Sequence, residues 1–402
     1  MLKKVKIFLI ISFVGYLSFV IFMSIGLYHE DFKSNLSELR SSEEYKSSSK
    51  IDKVVLIRNN FENTLNDKIF NKTFYIDIYG LFQKLLCKKI VSDYDSSRKV
   101  VKMKNGNLTF VYPNYDITNY SKKVVNLYNY ARDNGIYMAY INIPWRVHDN
   151  SDLPFYVTDN VTNTNNKMLY KMKNANVNII DLEKELSGDY NTWFFETDHH
   201  WKIETGFEAY QIITKDLDNH LGLDVPENYL TDYNKKVYKN IFLGTYGKRV
   251  GKYYGGLDDF AYITPNFDTK FEVINYRNVG EVESCKKGDF VETMTYPEFL
   301  TYNLDRDMST YYTYSKGTKS EIIVLNKNAY NDKKLLILKD SFADCVYPFL
   351  SINFEETRVL DIRRYKNIRL YRYIRKYKPD AILFLQNAQS LYDETLIQWK
   401  EE

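Results

Sequence analysis

Two short segments of the chain hold the residue types that a serine nucleophile requires. Residues 197–201 (TDHHW) stand just before a helical pattern, and residues 339–342 (KDSF) follow an apolar run. A serine hydroxyl is a weak nucleophile unless a base lies within hydrogen-bonding distance and a carboxylate orients that base. Asp198 and His200, two residues apart on a turn, could supply both groups to Ser341. The sequence is therefore compatible with a Ser–His–Asp triad.

The same residues also fit ordinary structural roles. Ser341 and Asp344 have the spacing of a helix capping box, and Asp198 could cap the helix that follows it. His200 could be a histidine that only packs in the core. The residue types alone leave both interpretations open.

An Asp-His-His run also invites a metal ion. A zinc or manganese site needs three or four convergent ligands, whereas adjacent histidines usually point apart. The DHH phosphoesterases share these letters but also need aspartate motifs on other strand ends, and we find no such set here. Asp258 and Asp259 could be a glycosidase carboxylate pair, but no partner acid is identifiable. We expect neither a metal nor a cofactor.

Four residues are candidates for binding a substrate. Arg249, inside a glycine-flanked run, could bind an anion or a sugar acid through its planar guanidinium, and Arg146, at the end of a strand, could bind substrate. Tyr253 and Tyr254 could stack on sugar rings. The alternatives are that the arginines anchor a loop or pair with surface carboxylates. In a chain with 37 tyrosines, two adjacent ones are weak evidence.

The elements around these residues alternate as in an α/β protein. We predict helices over 119–133, 161–175, 203–220, 342–351 and 368–377, and strands over 136–143, 177–182, 335–339, 357–362 and 381–386. Catalytic groups of open parallel sheets lie at the carboxyl ends of strands. The pattern predicts a doubly wound (flavodoxin-like) parallel sheet, divided in sequence by a loop-rich, partly β insertion at 225–330.

The N-terminus predicts a membrane anchor. An uncharged, mostly apolar run from Ile7 to Tyr28 is long enough to cross a bilayer, and no small-residue cleavage site follows it. Lysines at positions 3, 4 and 6 place the N-terminus inside and the rest of the chain outside the cytoplasm. The predicted divisions are the cytoplasmic stub and anchor (1–30), a stalk or linker (31–69), the first part of the α/β domain (70–224), the insertion (225–330) and the second part (331–402).

Charge and cysteine content exclude some classes of protein. The 55 basic and 52 acidic residues give a net charge of +3, which is too balanced for a nucleic-acid-binding protein. Three widely spaced cysteines provide neither a disulfide framework nor a thiolate zinc site.

Residues 193–201 (WFFETDHHW) resemble the signature of the DHHW protein family, which is similar to the alginate O-acetyltransferase group of SGNH hydrolase-like proteins. In that group an Asp-x-His-Trp motif supplies the acid and the base, and a later Asp-Ser-Phe motif supplies the nucleophile. The resemblance spans roughly 70–395 and implies an SGNH-like fold. Residues 379–387 are similar to the strand that ends in the oxyanion asparagine, so Asn387 is the candidate for that role beside the Ser341 amide. Lys339 departs from the family, which usually has glycine there.

The resemblance implies a function. We expect a membrane-anchored O-acyltransferase, specifically for O-acetyl groups, that modifies an extracytoplasmic polysaccharide and receives its acyl group from a multi-pass membrane O-acyltransferase partner. An esterase with the same triad and a non-catalytic polysaccharide-binding or assembly protein are the alternatives. A metal phosphohydrolase is the least favoured.

Overall fold

The computed structural model of the protein describes residues 2–93, 98–302, 308–365, 368–392 and 399–400. The chain forms two compact units, Met1–Ile78 and Tyr79–Glu402. Thirteen strands and fifteen α-helices lie in the described residues, together with short 3₁₀ turns.

The N-terminal unit is helical. Its helices are α1 (Leu2–Leu27), α2 (His29–Ser41), α3 (Glu43–Ser47), α4 (Lys50–Asp67) and the first part of α5 (Lys72–Leu85). The stretch Lys4–Leu27 has a mean hydropathy of 2.4, so by length and composition α1 could cross a membrane.

The segment predicted as a linker, 31–69, is more ordered than expected. The Ser42 and Ser49 hydroxyls accept hydrogen bonds from the Tyr45 and Asp52 amides, and these caps begin α3 and α4. Only Thr64 is buried within α2, α3 and α4. The segment buries few residues and is helical because serine also favours helix N-termini.

The second unit contains the remaining elements. Its strands are β1 (Ile90–Ser92), β2 (Lys99–Lys102), β3 (Leu108–Thr109), β4 (Tyr137–Ile143), β5 (Asn178–Asp181), β6 (Tyr233–Phe242), β7 (Asp258–Pro265), β8 (Phe271–Asn278), β9 (Glu281–Gly288), β10 (Glu321–Asn326), β11 (Lys334–Lys339), β12 (Glu356–Asp361) and β13 (Ala381–Asn387). Its α-helices are α6 (Thr118–Asp133), α7 (Val161–Asn174), α8 (Leu182–Glu185), α9 (Ile203–Leu221), α10 (Asn228–Thr231), α11 (Thr245–Val250), α12 (Lys252–Gly255), α13 (Phe290–Met294), α14 (Tyr347–Leu350) and α15 (Leu370–Tyr377). The 3₁₀ turns are Asn150–Asp152, Tyr190–Thr192, Pro297–Phe299, Thr310–Tyr314, Ser341–Cys345, Ser351–Asn353 and Ala388–Tyr392.

An eight-stranded sheet forms the centre of this unit, in the order β5-β4-β13-β11-β12-β10-β8-β9. The strands from β5 to β12 in this order are parallel to one another, whereas β10, β8 and β9 extend the sheet antiparallel. Every residue of β13 is buried, as is usual for a strand covered on both faces.

Helices cover both faces of the sheet. Alternate residues of β11 pack on opposite sides: Leu336 and Leu338 join the core under α6, α7 and α15, while Leu335 and Ile337 join the core under α9 and α14. This arrangement confirms the predicted doubly wound α/β fold.

The segment predicted as a loop-rich insertion is more regular than expected. It supplies the antiparallel strands β8, β9 and β10 of the central sheet and a separate two-stranded sheet, β6-β7. In β8, Phe271, Val273 and Asn275 are buried and alternate with less buried residues. This period of two marks a half-buried strand.

Three strand ends position the polar residues noted in the sequence. In the register of the parallel strands, Lys339 at the end of β11 pairs with Leu385 of β13, and Asn387 at the end of β13 pairs with Ile143 of β4. These ends lie on one edge of the sheet. The β4–β5 and β11–β13 parts are separated in sequence, as predicted, and meet in the middle of the sheet.

Candidate active site

Asp198, His200 and Ser341 form a continuous hydrogen-bonded row. His200 Nδ1 lies 2.5 Å from Asp198 Oδ1, and His200 Nε2 lies 2.8 Å from Ser341 Oγ. A carboxylate can only accept, so Nδ1 carries the imidazole proton and Nε2 accepts from the serine hydroxyl. Asp198 and His200 are buried, whereas Ser341 is partly exposed. Ser341 is thus the most exposed residue of the row.

Asp198 is held as an anion. Its carboxylate accepts hydrogen bonds from the His200 amide at 3.0 Å and from the Thr245 amide at 2.6 Å. Burial alone would raise the pKa of Asp198, but the neighbouring His199 and His200 and these hydrogen bonds hold that pKa well below its ordinary value. An ionised Asp198 fixes the tautomer of His200 that Ser341 requires.

The Asp258 carboxylate holds the loop that carries Asp198. Asp258, at the start of β7, accepts from the Glu196 amide at 2.6 Å, the Thr197 amide at 2.9 Å and the Thr197 hydroxyl at 2.5 Å. Asp258 therefore has a clear structural role, which the glycosidase interpretation of the sequence did not include.

Gly244 allows the backbone before α11 to approach Asp198. A Cβ atom at Gly244 would lie 2.2 Å from the Asp198 Cβ, too close for any side chain. The Gly244 amide donates to the Thr197 hydroxyl at 2.8 Å. This close approach is what brings the Thr245 amide to the carboxylate.

Arg146 supports the same loop from β4. Its guanidinium donates to the backbone carbonyls of Asp198 and Phe195, and only 3% of the residue is exposed. The side chain also lies over the Tyr246 ring, 5.4 Å from the ring centroid. These contacts do not fit the substrate contact expected for Arg146; they fit a residue that positions Asp198.

Ser341 begins a 3₁₀ turn directly after β11. Asp340 caps the turn by accepting from the Phe342 amide at 2.9 Å, and its other oxygen accepts from the Asn387 amide and the Ser390 hydroxyl, both at 2.8 Å. In the described part of the chain, the Ser341 amide donates no hydrogen bond. That N–H is available to a developing oxyanion.

Lys339 is buried beneath this turn. Its ammonium pairs with Asp344, the fourth residue of the turn, and the two residues are 1% and 4% exposed. Burial raises the pKa of Asp344, and the Lys339 charge opposes that rise. The lysine that stands where the family motif usually has glycine thus forms a buried ion pair within the turn that Ser341 begins.

Asn387 lies at the end of β13, close to Asp340. The residue is fully buried; its Nδ2 donates to the Pro144 carbonyl at 3.3 Å and its Oδ1 accepts from the Gln389 amide at 2.9 Å. Among the described residues, Nδ2 makes this single hydrogen bond.

The other predicted substrate-binding residues lie apart from the row. Arg249 pairs with Asp93 at 2.5 Å, and Tyr254 is buried with its hydroxyl 2.8 Å from the Lys88 carbonyl. Both side chains anchor backbone segments. Tyr253, in contrast, is 45% exposed, and the Lys252 ammonium lies 5.4 Å from its ring centroid.

His199 is a neutral neighbour of the row. Its ring centroid lies 3.7 Å from that of His200, and burial together with the nearby His200 lowers the pKa of His199 to about 3. One ligand atom each from Asp198, His199 and His200 lie within 4.8 Å of one another, close enough to hold a metal ion. Both nitrogens of His200 are already hydrogen-bonded, so a metal here would displace the contact with Asp198 or with Ser341.

Tyr311 contacts the row and was not anticipated from the sequence. Its ring stacks on the His200 imidazole with a centroid distance of 3.9 Å and an interplanar angle of 11°. The residue lies 111 positions after His200 in a turn of the predicted insertion, and no local pattern marks it.

Comparison with known proteins identifies relatives in structure alone. No protein-family model matches the chain, and no curated protein matches it in sequence. A structure of Bacillus cereus PatB1 with a sulfonyl adduct is similar: it is 21% identical, the match covers 75% of this chain and 98% of that chain, and the TM-score is 0.60. A DHHW family protein from Eubacterium siraeum is 20% identical, with coverage of 77% and 97% and a TM-score of 0.55.

At this identity the likenesses establish the fold. The chain shares its architecture over nearly the full length of both structures. The predicted α/β fold and the predicted resemblance to a DHHW family protein are confirmed at the level of the fold.

Proposed function

We propose that the protein is a membrane-anchored, extracytoplasmic O-acyltransferase that transfers acetyl groups to hydroxyls of a polysaccharide. The observation that carries the proposal is the row from Asp198 through His200 to Ser341, with its hydrogen bonds of 2.5 and 2.8 Å. Such a row is the arrangement that activates a serine for acyl transfer.

The proposed reaction has two steps. Ser341 Oγ attacks the carbonyl carbon of an acyl ester while His200 Nε2 takes the hydroxyl proton, and the departing alcohol then takes that proton from the imidazolium. A sugar hydroxyl next attacks the acyl-serine, gives its proton to His200, and leaves as the ester while Ser341 regains the proton. Asp198 holds the imidazole and stabilises its charged form throughout.

Two donors would stabilise the oxyanion. The Ser341 amide stands at the start of the 3₁₀ turn without a partner among the described residues, and Asn387 Nδ2 would be the second donor. Donors that are fixed before reaction are effective because they need no reorganisation.

The shared fold supports this class of chemistry. PatB1, which has the same architecture, was solved with a sulfonyl adduct. Sulfonyl reagents form such adducts with activated nucleophiles, so the same reagent is a suitable probe of Ser341.

The surroundings we propose follow from the N-terminal helix and the site. Helix α1 would anchor the chain with its N-terminal lysines inside. The acetyl group would then arrive through a multi-pass membrane O-acyltransferase, and the acceptor would be a polysaccharide at the cell surface. Tyr253, an exposed residue of α12, is the remaining candidate for stacking on a sugar ring.

Acetyl transfer from 4-nitrophenyl acetate tests the proposal. The full-length protein in detergent would be incubated with this donor and a panel of neutral, amino and uronic oligosaccharides, and acetylated sugars would be counted by mass spectrometry. We expect Ser341→Ala and His200→Ala to lower turnover by at least about 1,000-fold. His148→Ala, which changes an exposed histidine, is the control and should keep full activity.

The same assay separates transfer from hydrolysis. The partial exposure of Ser341 favours an esterase as the second candidate, because water could reach an acyl-serine there. Acetate release without acetylated sugar would support the esterase. Full turnover by the Ser341 or His200 variant would contradict both functions.

A further inference from the structure

A 3₁₀ turn from the antiparallel part of the chain lies against the proposed catalytic base. The turn, Thr310–Tyr314, places the Tyr311 ring flat on the His200 imidazole, with 3.9 Å between ring centroids and 11° between ring planes. Tyr311 is 3% exposed, so the ring is held in place by its surroundings.

We propose that Tyr311 is a positioning residue that aims His200 Nε2 at Ser341 and stabilises the imidazolium that forms when His200 takes the serine proton. The inference rests on the proposed function, because it requires a reaction in which His200 becomes charged. It assigns a role in that reaction to the segment between β9 and β10.

The phenol hydroxyl of Tyr311 reaches the other half of the row. Its oxygen lies 3.3 Å from the Ser341 carbonyl oxygen, to which it donates, and 3.4 Å from Cys345 Sγ. Burial raises the pKa of Tyr311 well above its ordinary value, so the phenol stays protonated and remains a donor. One side chain therefore touches both the base and the backbone of the nucleophile.

The rings of Tyr311 and Phe342 restrict the imidazole together with the His199 ring, whose centroid lies 3.7 Å from that of His200. The Phe342 ring lies 5.2 Å from the His200 ring at an angle of 50°, while Tyr311 covers a face of the imidazole in near-parallel contact. If the His200 ring rotated out of its present plane, its atoms would collide with the Tyr311 ring. The stack thus limits the imidazole to the orientation in which both of its nitrogens are hydrogen-bonded.

The stack also has an electrostatic consequence. The face of an aromatic ring attracts a cation more strongly than it attracts a neutral group. His200 is neutral before the attack on the acyl ester and positively charged afterwards. Tyr311 therefore interacts more favourably with the charged intermediate than with the resting site, which lowers the barrier without changing donor binding.

The test compares Tyr311→Phe, which keeps the ring, with Tyr311→Leu, which removes it. Tyr314 lies in the same turn, is fully buried and bonds to Ile263, so Tyr314→Leu is the matched control for damage to the turn. The kcat and KM for 4-nitrophenyl acetate would be measured on full-length protein, with each variant's folded fraction determined by circular dichroism.

We expect Tyr311→Leu to lower kcat by about 2- to 30-fold with KM unchanged, the range that a cation–π contact provides. Tyr311→Phe should stay within about threefold of wild type, because the ring carries the interaction. Tyr314→Leu should reduce the folded fraction but leave kcat per folded molecule unchanged.

The inference is overturned if Tyr311→Leu keeps the wild-type kcat, or if Tyr311→Phe falls as far as Tyr311→Leu. An equal loss of kcat in Tyr314→Leu would also overturn it, because the effect would then belong to the turn as a whole. A wild-type protein without turnover would instead contradict the proposed function, and the inference with it.

Discussion

The buried ion pair of Lys339 and Asp344 allows a quantitative prediction about the turn that carries Ser341. Both residues lie almost entirely out of solvent, at 1% and 4% exposure. Removing one partner of a buried pair leaves the other charge without compensation, which typically costs about 3–5 kcal/mol of stability. Replacing both partners by apolar groups is often close to neutral.

We therefore expect Lys339→Met to lower the free energy of unfolding by about 3–5 kcal/mol, since Asp344 would be stranded. Asp344→Leu should destabilise by a similar amount because it strands the ammonium. The double variant should lie within about 1 kcal/mol of wild type. A loss of this size is a large part of the stability of an ordinary domain.

Urea unfolding of the full-length protein in detergent, followed by tryptophan fluorescence, measures the four free energies. The Lys339→Met defect should shrink as the pH is lowered towards 4, because a protonated Asp344 carries no charge to strand. Single variants that each lose less than about 1 kcal/mol, or a double variant whose loss equals the sum of the two, would refute the reasoning.

Three further results are expected. The His199 pKa of about 3 lies below its ordinary value of 6.5, so the unfolded chain binds more protons than the folded protein between these pH values. The free energy of unfolding should therefore fall as the pH drops from 6.5, by up to about 1.4 kcal/mol per pH unit. In urea titrations at several pH values, His199→Gln should flatten this slope, whereas His148→Gln, at an exposed position, should not. Gly244→Ala would place a Cβ 2.2 Å from that of Asp198. We therefore expect the variant to lose about 1–3 kcal/mol of folding stability and at least about tenfold in turnover. Wild-type turnover in this variant would show that the close approach is unnecessary. Because both nitrogens of His200 are hydrogen-bonded, chelators should leave turnover unchanged; loss of activity that zinc or manganese restores would favour a metal site.

The parallel part of the sheet could be predicted because its signals are local. Strands β4, β11 and β13 are continuous apolar runs, and α9 shows a regular helical period, so their positions follow from burial and periodicity. The helix predicted over 342–351 was only partly right: a 3₁₀ turn and the short α14 replace it. Pro348 has no amide proton and cannot continue the hydrogen-bonding pattern of a helix.

The strands of the predicted insertion could not be placed in the same way. Whether β8 and β10 pair with each other or with the parallel strands depends on partners far away in sequence. In the folded protein β10 pairs with β12, and β8 then pairs with β10.

Within the site, sequence motifs located the residues of the row but not those that hold it. Asp198, His200 and Ser341 lie in short motifs that can be read directly. In the sequence, Lys339 is only a departure from the glycine of the family motif. Its role becomes clear from its ion pair with Asp344, five residues later. Tyr311 could not have been found, because stacking on His200 depends on how two distant segments pack.

Tyr253 and Tyr254, which have the same predicted role in the sequence, differ in burial. Tyr253 and Tyr254 are adjacent, yet Tyr253 is 45% exposed while Tyr254 is 2% exposed and bonded to the Lys88 carbonyl. A short helix turns neighbouring side chains to different sides, and the composition of the chain carries no information about which side faces solvent.

Labelling with a sulfonyl fluoride shows whether His200 and Asp198 activate Ser341. The full-length protein would be treated with the reagent, digested, and analysed by peptide mass spectrometry, with His200→Ala and Ser341→Ala treated in parallel. We expect one sulfonyl adduct on Ser341, formed far more slowly in His200→Ala and absent in Ser341→Ala. An adduct on another residue, no adduct at all, or equal rates in wild type and His200→Ala would contradict this activation.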